Sequence, residues 1–257
     1  MGVTFLTGAS SGIGRSLARR LAAGGEVVAA AARRKPLLDS LAAEIEKQGG
    51  RALAVECDVT NRARVLEAVA EAEATLGPID RLVANACGGD RTFIDGFTAA
   101  HVEQVIALNV IGAAHCIEAV LPGMLARGRG HLVAVSSLAA YRGLPTVGAY
   151  SAAKAALSNL MESLRIDLRP RGVDVTLLLP GFVRLDAAKP RKKSKPLQID
   201  LEDATARMHA AILARRPRYA FPAPLVLALA LARLLPAPIT DRLLAGRGKT
   251  APRDASE

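Results

Sequence analysis

The strongest chemical signal in the sequence is a tyrosine and a lysine four residues apart, Tyr150 and Lys154, in the helical stretch AYSAAK. Side chains at this spacing lie on one face of a helix. A phenol with a pKa near 10 is a poor base at neutral pH, but a neighbouring ammonium stabilises the phenolate. Tyr150 is therefore a candidate proton donor or acceptor. Ser137 ends an apolar run thirteen residues earlier and is placed to hold a substrate oxygen.

A bare pair of this kind is more often an ordinary surface pair than a catalytic one. A second motif, the glycine-rich turn TGASSGIG at residues 7–14, favours the catalytic interpretation. Glycines between a strand and a helix let the backbone approach a pyrophosphate, and the helix N-terminus supplies amide donors. The spacing is GxxxGxG and not the GxGxxG of the general fingerprint. Such a turn can be only a tight connection, but here we predict nucleotide contacts at Gly8, Ser10, Ser11, Gly12, Ile13 and Gly14.

The end of the second predicted strand indicates which nucleotide is bound. An NAD site is expected to place an acid there for the ribose 2′-hydroxyl, whereas this chain has Ala32-Arg33-Arg34. A guanidinium can donate two charge-assisted hydrogen bonds to a 2′-phosphate. We therefore predict that the cofactor is NADP(H), with Arg33 and Arg34 at the 2′-phosphate. Arg15 is expected to add to the positive electrostatic potential there. The alternative is a solvated basic start of a helix.

Apolar runs and amphipathic stretches alternate along the chain. Strands are predicted at Val3–Thr7, Glu26–Ala31, Ala52–Cys57, Arg81–Ala84, His131–Ser136 and Val173–Leu179, and helices at Gly12–Ala23, Leu37–Gln48, Arg62–Leu76, Ala99–Ala126 and Ala149–Arg169. Near-continuous apolar strands that alternate with helices indicate a parallel sheet covered on both faces. The fold class is therefore α/β, with three layers in the order α/β/α.

The last quarter of the chain has a different character. A basic stretch at 189–195 precedes a predicted helix at Asp200–Arg215, a last strand at Arg218–Phe221 and one or two small apolar helices within Pro224–Ala245. Residues 1–183 hold 19 Lys/Arg and 17 Asp/Glu, whereas residues 184–257 hold 15 and 7. We predict a catalytic domain at 1–221 and a small helical extension at 222–257. The extension either binds a membrane surface, packs against the core or a second subunit, or is disordered.

Composition excludes several classes of protein. With 257 residues and 51% apolar residues, the chain can bury one large core and is not disordered. Without interleaved aromatic residues or a helical reading face, the net charge of +10 does not indicate nucleic-acid binding. The nearest approach to a membrane span is Leu225–Leu235, shorter than the roughly 18 to 20 residues required and interrupted by Arg233.

The remaining expectations concern cysteine chemistry and location. Cys57, Cys87 and Cys116 form neither a metal-binding pair nor a disulfide framework, so we interpret them as reduced core residues and predict no metal site. The start of the sequence has no basic leader and no cleavable apolar run, which favours a cytoplasmic protein. We also expect a homodimer or homotetramer, with peripheral membrane association through the extension left open.

Taken together, the motifs resemble those of the short-chain dehydrogenase/reductase family over residues 3–183. The matching set is TGASSGIG, Asp58, Asn85-Ala86, Asn109, Ser137, YSAAK and Pro180-Gly181, in that order. The resemblance implies a seven-stranded Rossmann sheet and a catalytic tetrad of Asn109, Ser137, Tyr150 and Lys154. It extends the predicted cofactor contacts to Asp58, Val59, Asn85, Ala86, Tyr150, Lys154, Pro180, Gly181 and Val183.

The resemblance also implies the reaction, a hydride transfer between NADPH and a carbonyl or alcohol carbon with Tyr150 as the acid/base. In this family Lys154 also grips the nicotinamide ribose, and Asn109 holds a water that relays protons. The substrate pocket is expected around Leu138–Val147 and 184–215, where leucine, alanine and valine favour a lipophilic substrate. The alternative function is a non-catalytic NADPH-binding redox sensor or scaffold, which has no need of the tyrosine–lysine pair.

Two positions depart from the family pattern. The family commonly has Asn-Ala-Gly where this chain has Asn85-Ala86-Cys87-Gly88, close to the cofactor. Many members also carry a threonine that touches the carboxamide, and the matching residue here is Leu185. Backbone at Val183 remains available for that contact.

Overall fold

The fold is a seven-stranded parallel sheet between two layers of helices, in a computed structural model that describes residues 2–89, 91–185 and 197–244. The strand order is β3-β2-β1-β4-β5-β6-β9. The strands are β1 Val3–Thr7, β2 Val27–Ala32, β3 Arg51–Glu56, β4 Ile79–Ala84, β5 Gly130–Val135, β6 Val173–Pro180 and β9 Arg218–Phe221. The short β7 Val183–Arg184 and β8 Ile199–Asp200 pair with each other. The predicted α/β fold with a Rossmann sheet is confirmed.

The helices form two buried clusters, one on each face of the sheet. Helices α1 Gly12–Ala23, α2 Lys35–Lys47 and α7 Leu201–Leu213 cover one face. Helices α3 Arg62–Leu76, α5 Gly112–Arg127 and α6 Gly148–Leu168 cover the other, next to α4 Ala99–Ile106. Every residue of β1, β2 and β5 is buried, as expected for strands covered on both faces.

The predicted helix Ala99–Ala126 is not a uniform α-helix. Between α4 and α5 the chain forms a π-helical turn at Ala107–Ile111. There the Asn109 side-chain amide donates to the Val105 carbonyl oxygen, four residues earlier on the helix, at 2.9 Å. Single π turns of this kind are frequent at functional sites.

The stretch Ala99–Arg127 is 29 residues long and, by length and composition alone, apolar enough to cross a membrane. The expectation that no stretch reaches this length was therefore wrong. The stretch is a weak membrane candidate, because α5 buries Cys116, Val120 and Met124 and packs against α3, β4 and β5. We interpret it as a core helix of the sheet layer.

The last quarter follows the predicted order of elements. Helix α7 matches the predicted Asp200–Arg215, and it packs on α1 through hydrogen bonds such as Ser16 Oγ to Thr205 Oγ1 at 2.8 Å. Two short apolar helices follow β9, α8 Ala223–Leu234 and α9 Ala237–Leu244. The basic stretch 189–195 and the residues after Leu244 lie outside the described residues.

Candidate active site

A cavity of about 600 Å³ opens at the carboxyl edge of the sheet. It lies where β1, β2, β3, β4, β5 and β6 end, beside the point at which the strand order reverses between β1 and β4. Open α/β sheets bind their ligands at this position. The lining residues are Gly8, Ser10, Ser11, Gly12, Ile13, Gly14, Ala32, Arg33, Arg34, Cys57, Asp58, Val59, Asn85, Ala86, Cys87, Leu108, Val135, Ser136, Ser137, Tyr150, Pro180, Gly181, Val183 and Leu185.

The glycine-rich turn forms the floor at one end of the cavity. Gly8 has a φ of +69°, a conformation that L side chains rarely adopt. A Cβ at Gly14 would lie 2.2 Å from the Gly8 carbonyl oxygen and 2.6 Å from Asn85 Nδ2. The turn can therefore close on α1 only because both positions lack side chains, and this close approach leaves the backbone open to a ligand.

The N-terminus of α1 faces the cavity without a side-chain cap. Ser11 occupies the N-cap position, but its hydroxyl accepts no bond from the first turn, and that turn has no acidic residue. Helix N-terminal amides without a cap are available to an anion. This arrangement fits the pyrophosphate of a dinucleotide.

The three arginines expected near the nucleotide have different surroundings. Arg34 donates to the hydroxyls of Ser10 and Ser11, both at 2.8 Å. Arg15 is instead paired with Glu44 at 2.8 Å. Contrary to the prediction, it does not add to the positive electrostatic potential at the nucleotide. Arg33 lines the cavity, is exposed, and has no side-chain partner among the described residues. Within the described part of the chain, Arg33 is thus the one of these three guanidiniums that is free to receive a phosphate.

Asn85 and Asp58 hold the turns around the nucleotide end. Asn85 Nδ2 donates to the Thr7 carbonyl oxygen at 2.9 Å and, more weakly, to that of Gly8 at 3.4 Å, so this buried amide ties β4 to the glycine turn. Asp58 accepts from the backbone amide and hydroxyl of Thr60, at 2.9 and 2.8 Å. Both side chains stabilise these turns by hydrogen bonds and also line the cavity.

Lys154 is completely buried beneath the other end of the cavity. Its ammonium donates to the Val135 carbonyl oxygen at 3.0 Å, at the end of β5. Burial lowers the pKa of this ammonium, although the nearby Cys87 acts in the opposite direction. The Lys154 Nζ lies 5.6 Å from the centre of the Tyr150 ring.

Two serines that the sequence analysis did not single out hold Lys154 in place. Ser136 and Ser158 donate to the Lys154 carbonyl oxygen at 3.0 and 2.8 Å, and their hydroxyls are 2.9 Å apart. This cluster joins the end of β5 to α6. Ser158 follows Lys154 by four residues, the spacing at which a serine returns a bond to its own helix, and that was the available signal.

Tyr150 lies half-buried at the cavity, with Ser137 beside it. Burial raises the pKa of the Tyr150 phenol above its usual value, the nearby Cys87 adds to this, and a hydrogen bond with Ser137 lowers it. Ser137 Oγ also accepts from the Ala139 backbone amide at 3.1 Å, which fixes its position at the end of β5. The structure thus brings the predicted acid/base and the predicted oxygen-holding group together.

Asn109 contributes a buried acceptor near this end. Its amide donates to the carbonyl oxygens of Gly88 and Val105 at 2.7 and 2.9 Å. Its Oδ1 is buried and has no hydrogen-bond partner among the described residues. The π-helical turn that carries it packs against α6, the helix of Tyr150 and Lys154. An orphan acceptor here fits the water that the resemblance assigns to Asn109.

The two departures from the family pattern both reach the cavity. Cys87 is exposed there, whereas burial raises the pKa of the other two thiols, Cys57 to about 11 and Cys116 to about 12. The prediction that all three are core residues was therefore wrong for Cys87. Leu185 is exposed at the edge of the cavity and would be 3.5 Å from a Cβ at Gly12. Its side chain cannot replace the hydrogen bond of a threonine.

Of the predicted substrate segment 184–215, residues 186–196 lie outside the described residues. Leu185 lines the cavity, but no residue of α7 does, because α7 packs on α1. No residue of the other predicted segment, Leu138–Val147, lines the cavity either. Leu108, Val135 and Ser136 line the cavity although the sequence did not indicate them. In the described parts of the chain no group of three His, Cys, Asp or Glu side chains is placed to hold a metal.

Comparisons with known proteins identify the family of this chain. A family model described as short chain dehydrogenase matches residues 2–196. An uncharacterized oxidoreductase of Myxococcus xanthus is 43% identical over 92% of this chain and 94% of its own. A fatty acyl-CoA reductase of Acinetobacter baylyi is 30% identical over 84% of this chain and 74% of its own. The crystal structure of an alcohol dehydrogenase from Thermococcus sibiricus, complexed with 5-hydroxy-NADP, covers 86% of this chain and 94% of its own with a TM-score of 0.76 and 26% identity.

Proposed function

Since the chain belongs to the short chain dehydrogenase family, we propose that it is an NADPH-dependent oxidoreductase acting on a lipophilic carbonyl or alcohol. The observation that carries the proposal is one continuous cavity, with the glycine turn and Arg33 at one end and Ser137 and Tyr150 at the other. A nucleotide and a reacting group need to share such a space. NADPH, when bound, supplies the hydride.

The preference for NADPH rests on the end of β2. No carboxylate follows Ala32, and the exposed guanidinium of Arg33 has no side-chain partner among the described residues. Arg34, held by Ser10 and Ser11, adds a second positive charge beside it. Two guanidiniums attract a 2′-phosphate, whereas a bare ribose hydroxyl gains little from them. The 5-hydroxy-NADP complex of the Thermococcus relative supports this choice.

The chain's own residues divide the chemistry among them. In the reductive direction Tyr150 donates a proton to the substrate oxygen, and Ser137 holds that oxygen. Lys154 gives Tyr150 a positive neighbour, which favours the phenolate left after the proton has moved. Asn109 Oδ1 is placed to hold a water for proton return.

A lipophilic substrate follows from the lining of the reactive end. Leu108, Cys87 and Pro180 line the cavity there, and its charged lining residues, Arg33, Arg34 and Asp58, lie on the nucleotide side. An apolar wall favours an apolar substrate, because burial removes hydrocarbon surface from water. The fatty acyl-CoA reductase among the relatives supports the same class.

We also propose a cytoplasmic homodimer or homotetramer. The three free cysteines agree with a reducing compartment. Exposed apolar side chains at Phe97 and Ile111, next to α4, suit a contact between subunits. Light scattering on the purified chain measures the assembly, and a monomer at all concentrations would contradict it.

The test is a steady-state assay with a panel of long-chain ketones, aldehydes and steroids, each with NADPH and with NADH. We expect NADPH-dependent turnover of apolar carbonyls and little turnover of sugar acids. Tight NADPH binding without turnover on any panel member would instead support the sensor or scaffold function. Equal rates with NADH would contradict the NADPH preference but not the reaction class.

A further inference from the structure

Helices α8 and α9 carry a set of apolar side chains that no other described part of the chain covers. On α8, Leu227, Leu231 and Leu234 share one side of the helix and are 61%, 56% and 81% exposed. On α9, Ile239 and Leu243 are 48% and 63% exposed. We call these five residues the α8–α9 surface.

The opposite side of α8 is packed, so α8 is apolar on both sides. Leu225, Val226 and Leu229 lie against the core cluster of the sheet. Arg233 is the one charged residue of this 12-residue helix. A helix that is apolar all round needs an apolar environment on both sides. The core of the protein provides this apolar environment on one side of α8. The α8–α9 surface, on the other side, requires a second apolar environment.

The two helices are held to the core and do not form a loose tail. The Arg142 guanidinium donates to the Ala232 carbonyl oxygen at 3.0 Å and to the Thr240 hydroxyl. Thr240 is 2% exposed and also donates to the Ala237 carbonyl oxygen at 2.8 Å. One arginine therefore fastens α8 and α9 to the segment after Ser137.

The packed side of α8 lies beside the reactive end of the cavity. Gly181 lines the cavity, and a Cβ there would be 3.0 Å from Leu225 Cδ2 on α8 and 3.3 Å from Leu138 Cδ1. Helix α8 also packs against the turn Leu138–Tyr141 that follows Ser137. The α8–α9 surface is on the opposite side of α8 and faces away from these contacts.

Charge decides between the possible occupants. Arg233 and Arg242 are exposed on α8 and α9, where Asp241 is the one acidic residue, and in the sequence as a whole residues 184–257 hold 15 Lys/Arg against 7 Asp/Glu. A second copy would bring the same positive excess against the first, whereas an anionic lipid surface attracts it. Apolar side chains flanked by arginines are the composition of a segment that lies in a membrane interface.

We propose that the α8–α9 surface docks the protein reversibly on an anionic lipid surface. The docking stands on the geometry and charge of α8 and α9.

The experiment is co-sedimentation of the full chain with vesicles of phosphatidylcholine alone or mixed with phosphatidylglycerol, at low and high salt. The test variant is Leu227→Gln/Leu231→Gln/Leu234→Gln. The matched control is Leu66→Gln/Ile166→Gln/Leu213→Gln, which replaces three exposed apolar residues on other helices. We expect the full chain and the control to bind mixed vesicles at low salt, and the test variant to bind about tenfold or more weakly.

A second variant separates charge from apolar burial and covers the case in which the first does not fold. Arg233→Gln/Arg242→Gln should weaken binding to mixed vesicles and leave the weak binding to neutral vesicles unchanged. The proposal is overturned if the full chain stays in the supernatant with mixed vesicles, or if both variants bind as well as the control. Fluorescence titration with NADPH reports the nucleotide site separately, so a failure of docking and a failure of the proposed function are distinguishable.

Discussion

At the scale of single residues, Tyr150 is where the proposed reaction is most directly tested. The phenol forms a hydrogen bond with Ser137, the buried Lys154 Nζ lies 5.6 Å from the centre of its ring, and burial raises its pKa above the usual value. Tyr150→Phe removes the proton donor and retains the ring. We expect turnover to fall by about 10² to 10⁴, the usual contribution of general acid catalysis, while NADPH affinity stays within a few fold.

The matched control is Tyr219→Phe, on β9, where the ring stacks on Phe221 and lines no part of the cavity. Steady-state kinetics and NADPH titration of both variants give the comparison. Turnover of the Tyr150 variant at the level of the control would refute Tyr150 as the acid/base.

Arg33 is the residue at which the preference for NADPH over NADH is tested. Its exposed guanidinium has no competing side-chain partner among the described residues, so Arg33→Ala removes a phosphate ligand without breaking an internal bond. We expect NADPH binding to weaken by about 1.5 to 3 kcal/mol, the range for hydrogen bonds to charged groups, and NADH binding to change little. Calorimetric titration with both nucleotides measures the difference.

Arg171→Ala is the control for Arg33, because Arg171 is exposed before β6 at the opposite edge of the sheet. It should leave both affinities unchanged. Equal losses of NADPH and NADH affinity in the Arg33 variant would mean that Arg33 supports the fold of the site and not the 2′-phosphate.

At the scale of elements, the buried His131 connects the three neighbouring strands β4, β5 and β6 away from the cavity. Arg81 Nε on β4 donates to His131 Nδ1 on β5 at 3.1 Å, and His131 Nε2 lies 2.8 Å from Thr176 Oγ1 on β6. Burial lowers the pKa of His131 to about 3, and the positive charges of Arg81 and Arg215 act in the same direction. Glu26, paired with Arg81, is the nearby acid.

This histidine predicts a loss of stability in acid. Below pH 6.5 the unfolded chain binds a proton at His131, whereas the folded protein does not until the pH approaches 3. The free energy of unfolding should therefore fall as the pH drops through this window. The contribution amounts to about 2 to 3 kcal/mol between pH 6.5 and ~4.5.

Urea unfolding of wild type and His131→Gln across this pH range tests the prediction. Glutamine can keep hydrogen bonds to Arg81 or Thr176 but does not titrate, so the variant should show a shallower dependence on pH. Identical slopes for the two proteins would show that other groups cause the acid sensitivity.

At the scale of the whole molecule, one arginine links both helices of the C-terminal extension to the rest of the protein. Arg142 contacts α8 and α9 at once, and hydrogen bonds to a charged group contribute about 1.5 to 3 kcal/mol. Arg142→Ala should speed hydrogen exchange of the α9 amides by about 10- to 100-fold, while the sheet amides keep their protection. Arg207→Ala, an exposed position on α7, is the control, and unchanged exchange in α9 would contradict the role of Arg142.

Much of this protein follows from sequence alone, because the deciding signals are local. Continuous apolar strands such as β1 and β2 can be buried on both faces only in a parallel sheet with helices on each side. The glycine turn, the tyrosine–lysine spacing and the arginines after β2 are likewise properties of a few neighbouring residues. Their order along the chain was sufficient to indicate the family and the residues of the tetrad.

Only the tertiary structure decided which of these groups are free and which are held. Arg15 and Arg33 have the same side chain, but Arg15 meets Glu44 on the next helix, whereas Arg33 meets no side chain in the part of the chain that the structure describes. Ser136 bonds to Lys154 because the end of β5 meets α6, and α7 lies away from the cavity because it packs on α1. Hydrogen bonds and packing between distant residues compete for each side chain, and that competition has no signature in the spacing of residues along the chain.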